Sequence, residues 1–243
     1  MPPTPRTKQA PPRKQPGLSP PKAKVARPHT ARDRRERVER ILATLDSMFP
    51  DATCALHHRD AWQLLVATIL SAQCTDERVN KVTPGLFAKY PTVTDMAAAS
   101  PDELAEEIRS TGFFNTKTKA LIGAARKLEA DFGGEPPRAM EEMLTIPGVA
   151  RKTANVVLGT AYGIASGVVV DTHVQRIAAR LDLTKQKDPV KIEQDLMRII
   201  PPDRWIRFSH QLILHGRGLC KARRPQCTQC PLNDLCYAKD KTA

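Results

Sequence analysis

The sequence Leu144-Thr-Ile-Pro-Gly-Val-Ala-Arg-Lys-Thr-Ala154 joins two predicted helices through a tight turn at Pro147-Gly148-Val149-Ala150. Gly148 permits a backbone conformation and a close approach that a side chain would block. Such a turn leaves the first N–H groups of the next helix free, and these are ready donors to a phosphate. The stretch predicts a helical hairpin that can hold a nucleic-acid backbone without reading bases, although many Pro-Gly turns bind nothing.

Outward from this hairpin, the spacing of apolar residues predicts helices along most of the chain. An apolar stripe at spacings of three and four runs from Val38 to Phe49. Residues 60–71 are apolar almost all round, which indicates a helix central to a core and too short to span a bilayer. Val168-Val169-Val170 is β-like but too isolated to make a sheet. The sequence therefore predicts an all-α fold of short helices. Further helices are expected near 75–89, 101–109, 116–131, 138–144, 151–162, 172–181, 188–199 and 203–215.

Lys152 lies directly after the turn, at the start of the second helix of the hairpin. The positive end of the helix macrodipole and the neighbouring Arg151 both disfavour a cation there. These effects favour the neutral amine that a lysine nucleophile needs. A solvated lysine or a phosphate ligand would fit the same position, so Lys152 is a candidate nucleophile in need of a partner.

Asp171 is the candidate partner of that lysine. It follows the run Val168-Val169-Val170 and begins a predicted helix. Asp171 or Thr172 can cap this helix, and Thr172 with Gln175 has the spacing of a capping box. A capping carboxylate accepts backbone N–H bonds in its ionised form. Capping is therefore compatible with stabilising a cationic sugar or relaying protons for Lys152.

Four of the six cysteines lie close together near the C-terminus. Cys220, Cys227, Cys230 and Cys236 have the spacing C-x6-C-x2-C-x5-C. Four thiolates on a compact loop suit either tetrahedral zinc or a 4Fe-4S cluster. The spacing favours the cluster, since structural zinc sites more often have two C-x2-C pairs with a longer insert. Cys54 and Cys74 lie far away in the sequence and are assigned to packing.

The protein is strongly basic, with 38 Lys and Arg against 26 Asp and Glu and a formal charge of +12. Residues 1–30 hold seven basic residues, nine prolines and no acid, so residues 1–31 are predicted to be a disordered tail. The tail is interpreted as a non-specific grip on phosphates or as a passive extension. Lys221, Arg223 and Arg224 form a basic loop between the first two clustered cysteines; this loop either contacts DNA or compensates the charge of a cluster.

Five separated motifs together resemble the endonuclease III family of DNA glycosylase/lyases in the helix-hairpin-helix superfamily, over about residues 32–240. The motifs are Leu70-Ser-Ala-Gln-Cys-Thr-Asp76, Gly148-Val-Ala-Arg-Lys-Thr-Ala-Asn-Val-Val157, Val170-Asp-Thr-His173, Leu212-Ile-Leu-His-Gly-Arg217 and the four-cysteine spacing. The resemblance implies a six-helix barrel domain at about 55–165, with the hairpin at about 139–162. It also implies an iron–sulfur cluster domain built from both chain ends, at 32–54 and 166–243.

The resemblance also implies an activity and a set of roles. The protein would be a bifunctional glycosylase and AP lyase of base excision repair, which removes oxidised pyrimidines through a lysine Schiff base and cuts the strand by β-elimination. Lys152 would be the nucleophile, Asp171 its catalytic partner, and the four cysteines the ligands of a 4Fe-4S cluster. Gln73 would fill the gap left by an extruded nucleotide, while Phe113 would enter the opposite strand.

The family pattern also implies the partners and the compartment. The partner would be damaged double-stranded DNA, with no membrane, and the protein would be a monomer that is cytoplasmic and nucleoid-associated in a bacterium. Two departures from the pattern concern DNA contacts: Ala150 replaces a common glycine, and Phe113 replaces a branched aliphatic residue. The alternatives are a monofunctional glycosylase of the same superfamily and a non-catalytic DNA-binding module with a structural metal.

Overall fold

The computed structural model describes residues 27–242, and within them every regular element is helical. The predicted tail at 1–31 lies mostly outside the described residues. The α-helices of the described part are α1 (Ala31–Met48), α2 (Ala61–Leu70), α3 (Asp76–Lys89), α4 (Val93–Ala97), α5 (Pro101–Ile108), α6 (Phe114–Phe132), α7 (Met140–Met143), α8 (Arg151–Tyr162), α9 (Thr172–Arg180), α10 (Pro189–Ile199) and α11 (Trp205–Arg217). The all-α prediction is confirmed. None of the helices in this range is both long and apolar enough to cross a bilayer.

Side-chain caps explain where several of these helices begin. Thr30 accepts a hydrogen bond from Asp33 N–H at the start of α1, and the Asp33 carboxylate accepts one from Thr30 N–H. Asp60 at the start of α2 and Thr75 at the start of α3 each accept one hydrogen bond from a backbone N–H of the first helical turn. Because each cap satisfies N–H groups that have no partner inside the helix, these residues fix the first helical turn.

The first core cluster is formed between α2 and α8 and contains residues from Leu56 to Leu158. Helix α2 lies at its centre, with residues 62–70 all buried, and packs against α3, α6 and α8. This explains why α2 is apolar on every face. The cluster also contains Cys54 and Cys74 as partly buried members, which agrees with their assignment to packing.

The second core cluster joins the two ends of the described chain. It contains residues of α1 from Val38 to Leu45 and residues from Val168 to Leu235. Helix α11 packs against both α1 and α9 in this cluster. Three of the clustered cysteines, Cys220, Cys230 and Cys236, lie against it. The division into domains at 55–165 and at 32–54 with 166–243 stays a prediction.

The structure differs from the predicted elements in two places. Helix α4 was not predicted; it is five residues long and begins at a capping box between Thr92 and Asp95. The capping box proposed between Thr172 and Gln175 is wrong, since Asp171 is the cap and Thr172 is the first helical residue. The Gln175 amide instead donates to the carbonyl of Lys187.

Candidate active site and nucleic-acid interface

Lys152 and Asp171 line the same cavity, which lies between the two core clusters and encloses about 600 Å³ including the space open to solvent. The two residues begin different helices, α8 and α9. The cavity has walls from the α2–α3 turn, from α8 and from α11, and it opens to the surface. Further residues that line it include Cys54, Ser71, Asp76, His210 and Arg217.

Lys152 is exposed and has no ion-pair or hydrogen-bond partner for its amine within residues 27–242. The start of its helix is held from the side by a buried network. Arg151 Nε lies 2.6 Å from Glu193 Oε2, and Asn155 Nδ2 donates to Glu193 Oε1 at 2.8 Å. Glu193 is 4% exposed and belongs to α10. The network fixes the first turn of α8 and leaves the neighbouring amine without a partner.

Asp171 has one carboxylate oxygen engaged in capping. Its Oδ1 accepts hydrogen bonds from the N–H groups of His173 and Val174, both at 2.8 Å. The segment before it is held by Ser209, which accepts a hydrogen bond from Val169 N–H at 3.0 Å. Asp171 is thus an oriented carboxylate in the cavity wall, where negative charge stabilises a cation that forms nearby.

Three residues of the cavity were given no role by the sequence analysis. Arg217 Nη2 lies 2.7 Å from Asp76 Oδ2, so an ion pair joins α3 to α11 at the cavity. Burial lowers the pKa of His210, which disfavours its charged form there. Asp76 and Arg217 are the last residues of two of the quoted motifs. The sequence separation of 141 positions hides their pairing.

The hairpin between α7 and α8 has the backbone that its sequence predicts. Gly148 has φ +78°, and a Cβ on it would lie 2.7 Å from the Cβ of Ala120 in α6. Both the conformation and the contact therefore require glycine. Ala150 has φ −97°, an ordinary value, so alanine fits without strain. Pro147 is exposed and Val149 is 8% exposed.

The first turn of α8 has no side-chain cap, because Ala150 carries no acceptor. Its first N–H groups are therefore available to a ligand, in contrast to the side-chain-capped start of α9. Arg151 was predicted as a DNA contact. Its Nε is engaged by Glu193, and its side chain remains 38% exposed.

Gln73 and Phe113 lie on two exposed loops and share an unusual backbone. Gln73 has φ +52° and Phe113 has φ +49°, which places both in the left-handed region. Residues other than glycine seldom adopt this region, and they do so when the surrounding structure holds them there. Phe113 is 62% exposed, an uncommon position for a large aromatic side chain. Both side chains are thus presented on the surface by constrained loops.

The four clustered cysteines all line a second cavity of about 410 Å³, counting the space open to solvent. Their thiols are free of disulfides. No three His, Cys, Asp or Glu side chains of the described residues are spaced to hold a single metal ion. Four thiols lining one cavity fit the donor set of an iron–sulfur cluster, which they would hold as thiolates. Burial raises the pKa of Cys230 to about 11 and so disfavours its thiolate form. Coordination to a metal would stabilise the thiolate.

Two arginines of α9 bring positive charge to the first of the clustered cysteines. Arg180 Nη1 lies 3.2 Å from Cys220 Sγ, and Arg176 donates to the Cys220 carbonyl at 2.9 Å. Arg180 and Arg176 were not identified from the sequence, because they lie 40 and 44 positions before Cys220. The side chains of the predicted basic loop, Lys221, Arg223 and Arg224, are exposed.

Two families match the chain in separate regions. Residues 66–202 match the HhH-GPD superfamily base excision DNA repair proteins, and residues 220–236 match the iron-sulfur binding domain of endonuclease III. Endonuclease III of Synechocystis sp. is 55% identical over 84% of this chain and 93% of its own length. Endonuclease III of Bacillus subtilis is 43% identical over 85% of this chain and 94% of its own length.

A solved structure has the same fold. A trapped endonuclease III–DNA covalent intermediate superposes with a TM-score of 0.80 at 43% identity, and the match covers 84% of this chain and 95% of the other. The hairpin, the cavity and the cysteine cluster thus define a base excision repair protein of the helix-hairpin-helix superfamily. Within it, the chain belongs to the endonuclease III family. It is a bifunctional DNA glycosylase and AP lyase, and its cysteine motif binds a 4Fe-4S cluster.

Proposed function

We propose that Lys152 is the nucleophile and Asp171 the catalytic partner in the removal of oxidised pyrimidines from double-stranded DNA. The observation that carries the proposal is the cavity that both residues line between the two core clusters. The unpartnered amine of Lys152 and the oriented carboxylate of Asp171 supply the two groups that the reaction needs. A DNA covalent intermediate trapped in a solved relative supports a covalent route.

The target nucleotide must first leave the base stack, because C1′ of a stacked nucleotide is inaccessible. Extrusion costs a few kcal/mol, less for a damaged base. Gln73 fills the vacated position and Phe113 stacks within the opposite strand. The exposure of Phe113 and the left-handed backbone of both residues support these roles. An aromatic side chain stacks well between bases, since every base offers a π face.

The chemistry follows from the two side chains. The neutral Lys152 Nζ attacks C1′, and the damaged base departs with the electron pair of the glycosidic bond and takes up a proton. Asp171 stabilises the positive charge that develops on the sugar. Ring opening gives a Schiff base between Nζ and C1′, which acidifies the proton on C2′. Loss of that proton breaks the bond from C3′ to its oxygen, and the strand is cut on the 3′ side.

DNA contacts are assigned to the hairpin and to the basic loop. Pro147, Gly148, Val149 and Ala150 hold a flanking phosphate against the uncapped start of α8, and the partly exposed side chain of Arg151 adds a positive charge beside it. Lys221, Arg223 and Arg224 add phosphate contacts. The support is the free first turn of α8 and the exposure of the loop. Such contacts position the protein without selecting a sequence.

Cys220, Cys227, Cys230 and Cys236 are the ligands proposed for the 4Fe-4S cluster. When bound, the cluster would supply structure: three of its cysteine ligands already pack against the second core cluster, so it would tie residues 220–236 to that core. Arg180 balances its negative charge through the contact with Cys220.

We further propose a monomer that associates with the bacterial nucleoid and with no membrane, in which residues 55–165 form the barrel domain. Segments 32–54 and 166–243 form the cluster domain.

The proposal is tested with duplexes that each carry one oxidised pyrimidine, incubated with the full chain and with a form lacking residues 1–30. The expected product is a strand cut at the lesion with a β-elimination end. Excision without cutting would instead identify a monofunctional glycosylase, and binding without either reaction a non-catalytic module. If the shortened form binds DNA more weakly than the full chain, and this difference in affinity shrinks as the salt concentration rises, the tail binds phosphates.

A further inference from the structure

Lys117 is a buried lysine outside the cavity that holds Lys152. It lies in the first turn of α6 and is 4% exposed. Its Nζ donates to the carbonyl oxygens of Leu70 and Thr111, each at 2.8 Å. No carboxylate in residues 27–242 pairs with it. A buried ammonium without a counter-ion is costly, so the two carbonyl contacts demand an explanation.

The two carbonyls belong to the two loops that carry Gln73 and Phe113. Leu70 is the last residue of α2, three positions before Gln73. Thr111 ends the 3-10 turn Arg109–Thr111, two positions before Phe113. One ammonium group therefore ties the bases of both loops together. Each carbonyl lies at the end of a helical segment, where the backbone oxygens lack partners inside the helix.

Both loops have a backbone that needs such support. The left-handed conformations of Gln73 and Phe113 persist only when surrounding contacts hold them. The backbone N–H of Lys117 also donates to the Phe113 carbonyl at 3.0 Å, a bond of the first turn of α6 that does not depend on the side chain. An apolar side chain in the same place would leave the carbonyls of Leu70 and Thr111 without this donor. The relative position of the two loops would then depend on packing alone.

We propose that Lys117 is a positioning residue that holds Gln73 and Phe113 in fixed register, so that both side chains enter the duplex together during base extrusion. The inference rests on the function proposed above, because it assigns Lys117 to one step of that reaction. Lys117 touches neither DNA nor the reacting atoms. It acts through the two loops and is needed only where a base pair must be opened.

The test compares Lys117→Met with Lys119→Met, a matched change at an exposed lysine of the same helix. Both holoenzymes are given a duplex with one thymine glycol and a neighbouring 2-aminopurine, and a single strand with one abasic site. The single strand needs no base-pair opening. For Lys117→Met we expect single-turnover excision from the duplex to fall about tenfold to a hundredfold, as a misplaced group would cause. The 2-aminopurine signal should fall too, while β-elimination on the single strand should match that of Lys119→Met.

Equal losses on both substrates, or no loss on either, would overturn the assignment of Lys117. A second test repeats Lys117→Met in a Gln73→Ala, Phe113→Ala background. The effect of Lys117→Met should shrink there, because the two loops no longer carry the side chains to be positioned, whereas additive losses would contradict the proposal. If Lys117→Met does not fold, Lys117→Arg replaces it, and its loss must again be confined to the duplex.

These outcomes are separable from failure of the proposed function. A wild-type protein that neither excises the lesion nor cuts the strand would refute the proposed function before any variant is compared. An active wild-type protein whose Lys117→Met variant matches Lys119→Met on both substrates would refute the role of Lys117 alone.

Discussion

Arg151 Nε and Glu193 Oε2 lie 2.6 Å apart and join the hairpin helix α8 to helix α10 of the second core cluster. Glu193 also accepts from Asn155 at 2.8 Å, and Ser166 donates to Asn155 Oδ1 at 2.8 Å. The contact lies one residue before Lys152. It therefore helps to fix the start of α8, which carries the proposed nucleophile, relative to Asp171, whose neighbours Val170 and Val174 belong to the second core cluster.

Glu193→Ala should destabilise the protein, because Asn155 is buried and loses its acceptor. Arg151 is partly exposed and recovers hydration, so the loss comes mainly from Asn155. An unsatisfied buried group of this kind costs about 2 kcal/mol. Urea unfolding measures the change, and Gln194→Ala, an exposed neighbour on α10, is the control. Equal stability of the two variants would show that the Glu193 network does not hold the helix.

Asp171→Asn should separate capping from catalysis. Asparagine caps a helix about as well as aspartate, so the free energy of unfolding should hardly change. The lost negative charge should lower the excision rate about a hundredfold or more. Asp188→Asn is the matched control, since Asp188 caps α10 in the same way and lies outside the cavity. A variant at Asp171 that keeps its activity would leave this residue with capping alone.

His210 should make the protein less stable in mild acid. Burial lowers its pKa in the folded state below the usual 6.5. The unfolded chain then binds a proton that the folded chain does not, so the stability present above about pH 6.5 falls as the pH drops below that value. His210→Gln should remove part of this slope between pH 7 and 5. His57→Gln, at an exposed position, should leave the slope as it is. If the stability of wild type and of His210→Gln depended on pH in the same way, His210 would not be a source of the acid sensitivity.

Cys230→Ser should prevent assembly of the 4Fe-4S cluster. The purified variant should lack stoichiometric iron, acid-labile sulfide and the visible absorbance of the wild type, and it should melt at a lower temperature. Cys54→Ser is the control, because Cys54 lies in the other cavity and should keep the full iron content. Wild-type protein that contains stoichiometric zinc instead would contradict the assignment.

The sequence predicts the fold and much of the site because local patterns encode them. Gly148 and the residues beside it form a hairpin for reasons internal to one stretch, and the Pro-Gly turn already indicates a backbone conformation and a close approach that a side chain would block. The cysteine spacing likewise indicates its cluster. The helix at Val93 was missed because it is one short turn bounded by a single capping box.

Contacts between distant residues escape such patterns. Lys117 looks like any lysine of an amphipathic helix, and only folding brings it to the carbonyls of Leu70 and Thr111. Arg217 and Asp76 are joined in the same way, across 141 positions. The ion pair of Arg151 with Glu193 could likewise not be predicted from the sequence, because the two residues lie 42 positions apart. Long-range charge pairing has no period in the sequence to reveal it.

Trapping with borohydride tests the central claim most directly. Reduction should link wild-type protein covalently to a duplex with one oxidised pyrimidine, and peptide mapping should place the DNA on Lys152. Lys152→Ala should bind the duplex but give no adduct, while Lys191→Ala, at an exposed lysine, should give as much as the wild type. An adduct of equal yield in Lys152→Ala, or one mapped to another amine, would contradict the account.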